Sequence, residues 1–113
     1  MNDSTHILFE LINQELEGAA KAICNRIFSE YQEISFSSEQ RRILQPLIRK
    51  ELESLIQGIL GLFDNVGGIL PDNIEGYVIC DAQTDTDIRD SNLDYADMWI
   101  EYLLRKITKK VEK

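Results

Sequence analysis

The stretch from Ile43 to Gly68, ILQPLIRKELESLIQGILGLFDNVGG, constrains the fold more than any other part of this chain. Leu44, Ile48, Leu52, Leu55, Ile59, Leu62 and Val66 recur at steps of four, four, three, four, three and four. That spacing lines them up on one side of a 3.6-residue helix. Ile43, Leu47, Ile56, Leu60 and Phe63 widen the apolar sector. A sector this broad predicts a central core helix contacted from two directions. The first part of the run is set by Ser37 and Gln40, whose S-x-x-Q spacing is a capping box and predicts a helix start at Ser38. Pro46 lies inside the helix and removes one backbone donor, so a kinked but continuous helix is expected. Gly58 and Gly61 lie on neighbouring turns, where small residues permit close approach of a second backbone. Asn65, Gly67 and Gly68 end the helix, because they take left-handed backbone angles cheaply.

A second helix precedes it. Asp3 or Ser4 suits the N-cap. Leu8, Ile12, Leu16, Ala19, Ile23 and Ile27 form its expected core stripe, flanked by Phe9 and Ala20, with Asn13 on the polar side. The helix runs to about Tyr31, and Glu30 would fall on the apolar face, so the helix should end or bend near there. A third helix is expected from about Asn92 to Val111, opened by a Ser91–Asp94 capping pattern. Its core stripe is Ala96, Ile100, Leu103, Ile107 and Val111, and Glu101 and Arg105 form an i,i+4 ion pair. Tyr95, Trp99 and Tyr102 make an aromatic stripe beside it, either packed at the core edge or offered to a partner.

Between the helix that ends at Gly68 and the C-terminal helix, Leu70–Gly76 reads as a turn centred on Pro71-Asp72. Tyr77–Cys80 is a β-rich run, and residues 84–89 form its hairpin partner across Asp81–Asp85. The expected fold is therefore mostly α with a minor β part. Three amphipathic helices make a single domain over residues 1–113, with a small hairpin around residues 77–90 inserted before the C-terminal helix. Long apolar faces with few helices to cover them favour a homodimer.

Charge is unevenly distributed over the 113 residues. The net charge is −8, and residues 67–97 hold eight acids against one base. Residues 37–66 hold four of each, and residues 98–113 hold five bases against two acids. This balance disfavours non-specific nucleic-acid binding, which needs a basic surface. The basic tail suits the negative end of a helix dipole. No apolar run is long enough to span a membrane, and the N-terminus lacks a basic leader, so a cytoplasmic location is expected. Cys24 and Cys80 have no metal-ligand spacing and read as free thiols.

The acidic block Asp81, Asp85, Asp87, Asp90, Asp94 and Asp97 is the most distinctive chemical feature. DAQTDTDIRDSN places acids at its first, fifth, seventh and tenth positions. It lacks the acid at position three, the glycine at six and the glutamate at twelve of an EF-hand loop. Catalytic sets are missing too. His6 is the one histidine, neither cysteine has a histidine partner, and GILGLFDNVGG has no lysine to complete a phosphate loop. VGGILPDNIEGYVICDAQTDTDI resembles segments of small bacterial proteins and carries no named family's motif.

These features predict a non-enzymatic protein without cofactor or resident metal that acts through a protein partner of basic surface, as an immunity or antitoxin-like binder would. The expected contacts are Asp85, Asp87, Asp90, Asp94, Asp97 and Trp99. Two other functions compete: divalent-metal binding or sensing by the Asp81–Asp97 block, and a structural subunit of a larger assembly.

Overall fold

The computed structural model describes residues 3–89 and 93–111, with side chains as far as Thr108. The element order is α1 (Asp3–Glu30), α2 (Ser38–Phe63), a short 3-10 turn (Val66–Gly68), β1 (Cys80–Asp81), β2 (Thr86–Asp87) and α3 (Tyr95–Val111). Three helices and a two-stranded antiparallel hairpin before the last helix are thus the architecture, as the periodicity predicts.

Several boundaries follow local chemistry. Glu30 is the last residue of α1. At the start of α2 the Gln40 amide donates to the Ser37 hydroxyl at 3.0 Å, and the Ser37 amide donates to the Gln40 side chain at 2.9 Å. This reciprocal pair satisfies two amides that the first turn leaves open. Pro46 is accommodated within one continuous helix. Beyond Phe63, Asn65, Gly67 and Gly68 all adopt positive φ (55°, 76° and 63°), which reverses the chain.

The chain forms two compact units, Met1–Glu10 with Ile56–Lys113, and Leu11–Leu55. The Leu11–Leu55 unit pairs the later turns of α1 with the first part of α2. The Arg49 guanidinium bonds Glu17 and the Asn13 side chain, and its Nε lies 3.2 Å from Glu53. Phe28 meets Phe36 edge-on at 5.2 Å, with the Arg41 guanidinium 4.4 Å above the Phe28 ring. Leu16, Ala20 and Cys24 are buried here, and burial pushes the Cys24 thiol up.

In the other unit the core is aromatic. Phe9, Leu60, Ile88, Tyr95, Met98, Trp99 and Tyr102 are buried. Phe9 meets Trp99 and Tyr102 edge-on at 5.4 and 5.8 Å, and the last two stack at 5.5 Å.

Three core assignments need correction. On α1 the buried line runs Thr5, Phe9, Asn13, Leu16, Ala20 and Cys24, while Leu8, Ile12, Ala19 and Ile27 are half-buried and Ile23 is exposed. The helix is rotated because two polar side chains on that line have partners. Thr5 donates to the Ile88 carbonyl at 2.7 Å, and Asn13 accepts from Arg49. On α3 the buried face is Tyr95, Met98, Trp99 and Tyr102, whereas Ile107 is exposed and Ala96, Ile100 and Leu103 are half-buried. Large rings remove more apolar area from water than the aliphatic stripe, and they decide the rotation. Val111 of that stripe lies outside the described side chains, as does Ser91 of the capping pattern. On α2 only Leu60 is buried among the described residues, so the helix is not a core element covered from two directions. Among the described residues, no backbone of another element lies within 4 Å of a Cβ built on Gly58 or Gly61.

Candidate functional site

The acidic block is built on the hairpin and the start of α3. Asp81 pairs with Thr86, and Cys80 with Asp87. The ladder continues through the Ile88 amide, which donates to the Ile79 carbonyl at 3.0 Å. The turn closes when the Asp85 amide donates to the Asp81 carbonyl at 2.7 Å, with Asp85 itself left-handed at φ 58°. Asp tolerates this region better than most side chains do.

Two of the acids are consumed by the fold. Asp81 accepts from the Ser4 hydroxyl at 2.7 Å and from the Gln83 and Thr84 amides at 2.8 and 3.3 Å. The Ser4 bond, with those amides, holds its carboxyl below the usual range. Asp87 is more heavily engaged. Its Oδ2 accepts from Arg89 Nε at 2.8 Å and from the Arg89 guanidinium at 2.6 Å. Its Oδ1 accepts from the Arg89 amide at 2.9 Å and the Tyr95 hydroxyl at 2.7 Å. The Arg89 side-chain bonds, and the further donors behind them, depress its carboxyl to about 2.

Tyr95 joins this cluster to α3. Its hydroxyl also accepts from the Ile79 amide at 2.6 Å, and Arg89 lies 5.0 Å from its ring centre. Burial pushes the phenol up to about 12. Ser4 and Thr5 of α1 therefore hold the hairpin at Asp81 and Ile88, and Tyr95 of α3 holds it at Ile79 and Asp87.

The remaining described acids, Asp85, Asp94 and Asp97, are exposed. Asp90 lies outside the described residues. Trp99 is fully enclosed in the aromatic core, so its assignment as a partner contact is corrected: an enclosed ring reaches a partner only if the core opens. Asp87 keeps about a third of its side chain exposed, but its oxygens are already bonded.

Local patterning gives no sign of the residues that fix this arrangement. Ser4, Thr5 and Arg89 read as ordinary cap or surface positions. Each acts on a group far along the chain or inside the hairpin. The one usable signal was Tyr95, which stands on the helical aromatic stripe with a hydroxyl that must find a partner when buried.

Among the described residues, no three of His, Cys, Asp and Glu converge as a metal site would require. Both cysteines are free. Among the same residues, no helix is long and apolar enough to cross a membrane. No family model matches the chain, and neither a curated protein nor a solved structure matches it.

Proposed function

We propose that this chain is a non-enzymatic, cytoplasmic protein-interaction protein that presents acids of its hairpin turn and α3 start to a basic partner. The observation that carries this reading is the contrast within the block. Asp81 and Asp87 are spent on clamping the hairpin to α1 and α3, while Asp85, Asp94 and Asp97 stay exposed in the same compact unit. A clamped turn loses little freedom when it binds, so its charge is available to attraction and orientation of a partner. A basic effector neutralised by an immunity or antitoxin-like protein is one partnership of this form.

The groups with the most displaced protonation, Asp87 and Tyr95, bond each other. That supports a structural rather than a catalytic role for them. Free thiols at Cys24 and Cys80 suit a reducing compartment.

The test is the triple substitution Asp85→Asn, Asp94→Asn and Asp97→Asn, with Asp81 and Asp87 kept. Capture of a basic partner from native lysate should weaken, and the wild-type complex should loosen as salt rises. Equal capture by the triple variant at low salt would count against the proposal.

A further inference from the structure

Where α2 ends, four large apolar side chains face water. Val66, Ile69 and Val78 are 58%, 66% and 57% exposed, and Tyr77 is 49% exposed. Local contacts gather them at that end. The Tyr77 amide donates to the Phe63 carbonyl at 2.8 Å, and the two rings lie 5.9 Å apart. This seats Tyr77, and Val78 after it, beside the last turn of α2. The Leu70 amide donates to the Asn65 side chain at 3.1 Å, which folds the Val66–Ile69 turn back on the same helix end. All four belong to the unit that holds Ile56–Lys113. Exposed apolar side chains gathered inside a polar rim mark a binding surface.

The rim decides what can cover them. Between Ile56 and Ile88 the chain holds six acids and no Lys or Arg. Asp72 and Glu75 are exposed on the loop that joins Ile69 to Tyr77. Asp64 accepts from the Tyr95 and Ala96 amides, so the exposed Asp94 stands at the same end of α2. The first base beyond the stretch, Arg89, is already bonded to Asp87. The surface is therefore apolar with a rim of one sign. A second copy would bring the same acids against it, and an anionic lipid surface would be repelled. A segment with cations flanking apolar side chains meets both features at once.

We propose that Val66, Ile69, Tyr77 and Val78 receive the apolar side chains of a cationic segment of the basic partner, an inference that rests on the partnership proposed above. This contact differs in kind from the one made by Asp85, Asp94 and Asp97. Ion pairs at exposed carboxylates weaken as salt rises, whereas burial of apolar area does not.

Fluorescence anisotropy with two labelled peptides of equal charge, one alternating Lys with Leu and one alternating Lys with Ser, separates the two contacts. The wild-type chain should bind the Lys/Leu peptide at least about tenfold more tightly, and that advantage should persist as salt is raised. The double variant Ile69→Ser, Val78→Ser should lose most of the advantage and bind the Lys/Ser peptide as before. Its helical circular dichroism should be retained, since both side chains are exposed. If it is not, Ile69→Ser alone takes its place, with a loss of about threefold. Equal binding of the two peptides by the wild-type chain overturns the inference and leaves the basic partnership standing. A Lys/Leu advantage undiminished in the serine variant does the same. Failure of both peptides to bind overturns the basic partnership and this inference with it.

Discussion

The Asp64 carboxylate caps a helix that begins at Tyr95, with Oδ1 3.0 Å from the Tyr95 amide and Oδ2 3.0 Å from the Ala96 amide. Both amides belong to the first turn of α3, where no intrahelical acceptor exists. The cap is thus supplied by Asp64, one residue past the end of α2. It also places a negative group at the positive end of the helix dipole.

Asp64→Ala should lower stability by about 1–2 kcal/mol, the usual cost of deleting a helix cap. Asp64→Asn keeps one acceptor oxygen and should cost less. Urea unfolding followed by circular dichroism gives both values. If Asp64→Ala is neutral, the cap is not structural.

Gly76 sits where the chain passes the end of α2. A Cβ built on it falls 2.6 Å from the Phe63 carbonyl oxygen, which already accepts from the Tyr77 amide at 2.8 Å. That oxygen is backbone and cannot swing aside. Gly76→Ala should therefore destabilise the protein by about 2 kcal/mol, as strained backbone substitutions do. Gly18 is the contrast. It lies within α1, and no described residue comes within 4 Å of a Cβ built there, so Gly18→Ala should stabilise by about 1 kcal/mol. Thermal melts of the two single variants should move in opposite directions.

These two glycines show where sequence is informative. Element ends were legible wherever the deciding groups are neighbours: Ser37 with Gln40, and Asn65 with Gly67 and Gly68. The hairpin was legible in place but not in extent, since only two residues of each strand pair. Helix rotation was misjudged because it depends on distant partners. Asn13 is buried because Arg49 reaches it, and Thr5 because the Ile88 carbonyl receives its hydroxyl. Hydrophobic periodicity assigns both to water. In the acidic block, the five described aspartates divide into clamps and exposed groups according to Ser4, Arg89 and Tyr95, none of which the acid spacing reveals.

The Asp87 cluster predicts an acid limit to stability. Its folded carboxyl titrates at about 2, below the unfolded value of about 3.9. A depressed carboxyl contributes stability above its unfolded value, and that contribution is lost as pH falls through the folded one. Asp81 shifts in the same direction. The unfolding midpoint should hold steady down to about pH 4 and then decline. Asp87→Asn should lower the neutral-pH midpoint and flatten the decline, which urea titrations at stepped pH will resolve.

Tyr95 predicts a second, alkaline limit through a different link. Its hydroxyl donates to Asp87 and accepts from the Ile79 amide, while its ring is buried against Phe63. Tyr95→Phe keeps the ring but leaves the Ile79 amide without this acceptor, at a cost of about 1–3 kcal/mol. The phenol is pushed up to about 12 by burial, against about 10 when unfolded. A raised value means the folded state holds its proton longer. The stability this gives is complete below about pH 10 and is lost as pH rises through the folded value. Wild type should therefore lose stability over that window. Tyr95→Phe should start lower at neutral pH and lose less, with the difference between the two curves narrowing as pH rises. Parallel curves across the alkaline range would show that the hydroxyl is not protected as this cluster requires.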